Sequence, residues 1–150
     1  MAIRRRTALY IGIIQLVLGV LGFVGPAVIG PGRGAVNVEA GLLLGVVAVN
    51  WAHALVHLAF GAYGTAARRT AQSATTYLWA VAVVLGALAV AGFLAEADVL
   101  VRRTPDGMLL VLETAVNNAA NTIHLVLAGV ALGAVLVARS RTAGPRPVSA

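Results

Sequence analysis

Apolar residues in this chain gather into four long runs instead of alternating or following a narrow helical stripe. The first run extends from about Ala8 to Ile29 and the second from about Gly41 to Tyr63. The third extends from about Thr76 to Ala95 and the fourth from about Leu112 to Val137. A helix needs about 20 predominantly apolar residues to cross a bilayer, and each run meets that length. The intervening pieces are turn-rich: Gly30-Pro31-Gly32-Arg33-Gly34, then Arg68 to Ser73, then Asp98 to Gly107 with its Pro105-Asp106-Gly107 turn. The pattern predicts an all-α fold, a four-transmembrane-helix bundle over residues 8–137. A short basic N-terminus (1–7) precedes it, and a disordered tail (138–150) with little apolar content follows. Arg4-Arg5-Arg6 before the first run resembles the start of a signal peptide. The run is longer than the roughly 7–15 apolar residues of a cleaved signal, so it is read as a retained helix.

Displacing the chain against itself by 67 positions brings its halves into register without a gap, as repeat units of about 8–66 and 75–133. Val17-Leu18-Gly19 then meets Val84-Leu85-Gly86, Gly25 meets Gly92, Ala48-Val49-Asn50 meets Ala115-Val116-Asn117, and His57-Leu58 meets His124-Leu125. Apolar matches are cheap in such a composition, so the coinciding Asn and His carry the signal. Two helices per unit make both copies enter the membrane from one side. The expected architecture is therefore two tandem parallel helical hairpins, related by an axis along the membrane normal.

Polar residues inside apolar runs are costly against lipid and should turn toward the bundle interior. In the second run Asn50, His53 and His57 fall at spacings of three and four. In the fourth, Glu113, Asn117, Asn121 and His124 fall at spacings of four, four and three. On continuous helices each set forms one stripe. The leading reading is interhelical hydrogen bonding that stabilises the bundle. The alternative is a site for a small ligand (haem, metal, quinone or lipid), or for proton or solute passage, built from the same residues. The cofactor is left unknown. His53 and His57 lie one turn apart like a zinc-binding pair, but the metalloprotease motif with its intervening Glu is missing. No nucleophile with a base, carboxylate pair or cofactor fingerprint is visible, so no enzyme is predicted.

Composition sharpens this picture. Hydrophobic residues make up 60% and charged residues 11% of the chain, against about 45–50% and 25% in globular proteins. A soluble domain of 150 residues cannot bury that much apolar surface, so membrane lipids are the expected surroundings. Cysteine is absent, which removes disulfides and thiolate sites. The net charge of +6 comes from eleven arginines set mostly beside the ends of the runs, and nucleic acid is not expected as a partner. Arg4, Arg5, Arg6, Arg68, Arg69, Arg139, Arg141 and Arg146 fall on one side, while Arg33, Arg102 and Arg103 fall on the other. The positive-inside rule makes the first side cytoplasmic, with both termini inside and the protein in the inner (plasma) membrane. Tyr10, Tyr63, Tyr77 and Trp79 lie near the inner ends as expected interfacial anchors, and Gly19, Gly22, Gly25, Gly86 and Gly92 as marks of close helix contact. Such faces permit a homo-oligomer, and no protein partner is predicted.

The segment Asn50-Trp51-Ala52-His53-Ala54-Leu55-Val56-His57-Leu58-Ala59-Phe60-Gly61 resembles the signature of an actinobacterial membrane family catalogued as domain of unknown function 4383. That family carries N-x-x-H-N-x-x-H-L-x-x-G in the second span and N-x-x-H-L in the fourth. Asn50, His53, His57, Leu58 and Gly61 fit the first pattern, and Asn121, His124 and Leu125 fit the second. Ala54 departs from it, where the family often has Asn. The resemblance covers roughly residues 8–137 and implies four spans, while naming no function.

Overall fold

The computed structural model describes residues 3–30, 34–96, 102–105, 107–111 and 114–142. Helix α1 (Ile3–Phe23) leads through a 3-10 turn at Gly25–Ala27, which Pro26 opens, into strands β1 (Val28–Ile29), β2 (Gly41–Leu43) and β3 (Val47–Val49). Helices α2 (Trp51–Ala67) and α3 (Ala71–Glu96) follow. Strands β4 (Arg102–Arg103), β5 (Leu109–Val111) and β6 (Thr114–Val116) then lead into α4 (Asn118–Thr142). The strands form two small antiparallel sheets, β1-β2-β3 and β4-β5-β6, with Leu42 opposite Ala48 in one and Leu110 opposite Ala115 in the other. Each half of the chain thus reads helix, three-stranded sheet, helix.

Four helices match the expected number, but the fold is mostly helical and not all-α. The second apolar run is not one helix. Residues 41–49 form a hairpin, and α2 starts only at Trp51. The run is bounded and interrupted by Gly41 and Gly45, and Val46, Val47 and Val49 are stiff β-branched residues suited to a strand. At the hairpin tip Leu44 and Gly45 both take positive φ, 50° and 76°, which a helix does not admit. The fourth run divides in the same way, with β6 ending at Val116 and α4 starting at Asn118. The first helix also stops early, at Phe23, because Pro26 and its neighbours take the 3-10 turn. At the other end α4 continues through Thr142, into residues assigned above to a disordered tail.

Among the described residues, three helices are long and apolar enough to cross a membrane: Ile3–Phe23, Ala71–Ala95 and Asn118–Ser140. Helix α2, with 17 residues, spans only about 25 Å against a hydrocarbon core of about 30 Å. Large apolar side chains point outward all round the bundle, among them Val17, Val20, Val83, Val90, Val126 and Val130. Such a surface suits lipid and not water. Helix α1 packs chiefly on α2 and α3 on α4, while β3 lies against β6 where the halves meet.

The helix ends away from the sheets are tied by polar contacts. Arg4 Nη1 donates to Thr75 Oγ1 at 2.9 Å, Arg5 Nε donates to the Arg68 carbonyl at 2.6 Å, and Arg139 lies over the Trp79 ring. Thr70 caps α3 by accepting from Ser73 N at 3.0 Å. Tyr77 is no interfacial anchor. It is fully buried, and its hydroxyl accepts from Gln15 Nε2 at 3.0 Å. The reason is on the facing helices: the buried amide of Gln15 needs a partner, and Gly64 leaves room for the phenol ring.

Candidate functional site

The division of the apolar runs changes what the polar residues do. Asn50 and Asn117 do not sit on the faces of continuous helices; they stand at the starts of α2 and α4. Asn50 Oδ1 accepts from His53 N at 3.0 Å, and Asn117 Oδ1 accepts from Ala120 N at 2.9 Å. Both are N-caps, satisfying amides that the first helical turn leaves without a carbonyl.

Each cap also reaches into the other half. Ala48 N donates to Asn117 Oδ1 at 3.2 Å, and Ala115 N approaches Asn50 Oδ1 at 3.5 Å. Asn117 Nδ2 adds a bond to the Val46 carbonyl at 2.8 Å. The two contacts are counterparts at the same offset that relates Asn50 to Asn117. Together they fasten β3 to the start of α4 and β6 to the start of α2.

Directly beyond these caps the three histidines converge. These are the only histidines in the chain, and all three are buried. His53 and His57 project from successive turns of α2, and His124 enters from α4. His53 Nε2 lies 3.0 Å from His57 Nε2 and 3.2 Å from His124 Nε2, and one ring nitrogen of each residue lies within 4.8 Å of the other two. On its far side the His53 ring faces the Ala115 carbonyl, at 2.9 Å from Nδ1. A carbonyl can only accept, so Nδ1 carries the proton, and the Nε2 of the neutral ring offers a lone pair.

That tautomer exposes a shortage of partners. One lone pair on His53 Nε2 faces two further imidazoles, while the Nδ1 atoms of His57 and His124 are buried with no hydrogen-bond partner among the described residues. Each unmatched buried polar group costs about 1–3 kcal/mol. Beside the rings is a cavity of about 10 Å³ whose other walls include Leu18, Leu43, Val47 and Ile123, room for about one water-sized guest.

The remaining predicted residues lie apart. Asn121 is fully buried at Gly92, between α3 and α4, and neither of its amide atoms has a partner among the described residues. Glu113 lies outside the described residues, as do Arg33, Asp98, Asp106 and residues 143–150. Two buried polar contributions were not anticipated from sequence. Asn37 Nδ2 donates to the Gly22 carbonyl at 3.1 Å, tying the loop after β1 to the end of α1, and Tyr77 receives Gln15. Asn37 follows the Gly30 to Gly34 turn, between Val36 and Val38, and nothing in its spacing marks it.

No curated protein and no solved structure matches the chain. The family model described as a domain of unknown function (DUF4383) matches residues 5–138, nearly the whole length, and the chain belongs to that family.

Proposed function

We propose that this protein is a multi-pass protein of the inner membrane, with both termini cytoplasmic, that binds a small ligand between two equivalent halves and is not an enzyme. The halves are tandem units related by a pseudo-twofold axis along the membrane normal. The reciprocal contacts of Asn50 with Ala115 and of Asn117 with Ala48 support that relation. The asparagines stabilise the bundle; the histidines serve the ligand.

The observation that carries this reading is the shortage of protons and acceptors at the three imidazoles. A cluster kept only as interhelical glue should be satisfied, because incomplete buried networks are worse than apolar packing. Here only three of the six ring nitrogens can be matched at once: His53 Nδ1 with the Ala115 carbonyl, and His53 Nε2 with the N–H of one neighbouring ring, so the other Nε2 and both remaining Nδ1 atoms are left over. A guest at the point where the Nε2 atoms meet would satisfy those three nitrogens together, leaving the Nδ1 atoms of His57 and His124 as the unmatched groups. The small cavity favours an ion or a water-sized molecule over a haem or quinone ring.

Native mass spectrometry of the gently extracted protein tests this. We expect extra mass on the wild type that disappears from His57→Gln and His124→Gln. Bare chains throughout, with unchanged thermal stability in both variants, would leave interhelical bonding as the role of the histidines.

A further inference from the structure

We infer that the ligand is a divalent first-row transition-metal ion, held by the Nε2 atoms of His53, His57 and His124 with its fourth position open to the apolar cavity. This rests on the reading of the three histidines as a ligand site and gives that ligand a chemical class.

Geometry comes first. With metal–nitrogen bonds of about 2.0–2.1 Å, a tetrahedral ion holds neighbouring nitrogens about 3.3–3.4 Å apart. His53 Nε2 stands 3.0 Å and 3.2 Å from its two neighbours, slightly inside that edge, while all three donors lie within 4.8 Å of one another, so closure on an ion is completed by small rotations of the His57 and His124 rings toward each other. For neutral imidazoles this closeness is awkward, since only one proton can point at the His53 lone pair. A cation at the centre lets all three rings turn lone pairs inward.

The surroundings of His53 fit the same role. Histidines that ligate metals commonly donate their other N–H to a carbonyl or carboxylate, which fixes tautomer and ring orientation. The Ala115 carbonyl, at 2.9 Å from Nδ1, does this for His53 across the seam. All three rings project from helices, and two of them are one turn apart on α2, so the donors are held by rigid elements.

Donor chemistry selects the ion. Three neutral nitrogens without an oxygen ligand are unsuited to calcium or magnesium, which take oxygen. Imidazole suits zinc, copper, nickel and iron, and thiolate competition is absent because the chain has no cysteine. Three neutral rings also leave the charge of the ion uncompensated. A water-sized anion such as hydroxide in the adjoining cavity would offset half of it, and three protein ligands with one exchangeable position is the arrangement of an open zinc site.

The test uses the untagged full-length protein in detergent, stripped by chelator and titrated with Co²⁺. We expect the strong visible absorption of four-coordinate Co²⁺, saturating at one ion per chain and bleached by Zn²⁺. His53→Gln, His57→Gln and His124→Gln should each weaken binding by about 100-fold or more, the upper end of what losing even a supporting partner costs a metal site. Should a variant fail to fold, the wild type alone decides: Zn²⁺ should raise its Tm and chelator should reverse the rise. A wild type with neither Co²⁺ absorption nor metal-dependent Tm overturns the inference, as does binding that survives all three substitutions. A retained non-metal mass that the His variants lose would sink the metal and leave the ligand site standing; no retained mass and no metal uptake would remove both.

Discussion

Gly19 in α1 and Gly86 in α3 occupy matching positions in the two halves, yet their surroundings differ. A methyl group at Gly19 would stand 2.8 Å from Leu58 N and 2.9 Å from the Ala54 carbonyl, in collision with the backbone of α2. A methyl group at Gly86 would meet only the Ala128 methyl, at an ordinary 3.8 Å. The contrast extends along both helix pairs except at Gly92, where the Asn121 amide packs on the glycine. Gly12, Gly61 and Gly64 bring α1 and α2 backbone to backbone, whereas Gly129 and Gly133 of α4 have open space around them. Helices α3 and α4 meet instead through Leu78, Val81, Leu85, Leu127 and Val135. Matching element orders therefore coexist with two kinds of helix contact: close approach over glycine in the first half, and interlocked aliphatic side chains in the second.

Substitutions can break or sharpen this contrast. The largest effect is expected at the glycine contacts. Gly19→Ala and Gly61→Ala should each destabilise by about 1–3 kcal/mol, because backbone atoms and not flexible chain ends must move. Reversible unfolding in detergent measures this, and wild-type stability for both would dismiss the close-contact account. Next come the caps. Asn117→Ala and Asn50→Ala should each cost about 1–2 kcal/mol, since each removes the acceptor of a first-turn amide and a contact across the seam. Unchanged stability in either variant would argue against the cap. Tyr77→Phe should cost about 0.6 kcal/mol, the usual worth of an interhelical hydrogen bond in lipid, and Gln15→Leu in the same background should recover part of that loss by removing the amide left without a partner. The double-mutant cycle reads out this coupling directly. Smallest is Gly86→Ala, where a gain of about 0.5 kcal/mol from helix propensity is expected; a loss comparable to that at Gly19 would make the two contacts alike after all.

Much of this organisation could be read from the chain. The four helices follow from the apolar runs, and the approach of His57 to His124, with ring centroids 5.5 Å apart, agrees with the expectation that both polar stripes face the bundle interior. The hairpins escaped because hydropathy averages apolarity and ignores period. Gly41 to Val49 is as apolar as a span, and only its glycines and β-branched valines speak for strands. Asn50 and Asn117 carried a usable signal, since asparagine before a helical pattern is a favoured cap. Taking them for members of a stripe hid their bonds across the seam. His53 was legible as a neighbour of His57, but its central place was not. Its counterpart in the second half is Ala120, so the offset contains no information about it. Only packing shows that α2 supplies two rings and α4 one. Asn121 has the inverse asymmetry, with Ala54 as its counterpart, and it lies beside Gly92 away from the three rings.

The reciprocal asparagine caps also impose an order on how the molecule is made. Synthesis delivers the first half to the membrane before the second exists. Until Asn117 has been translated, the Ala48 amide lacks its side-chain acceptor, and until Ala115 arrives His53 Nδ1 lacks the carbonyl that stands 2.9 Å away. The first half therefore enters the bilayer with its inner face unfinished, and the last helix closes it. A chain cut after α3 would leave the Ala48 amide and His53 Nδ1 without the partners that the final segment brings.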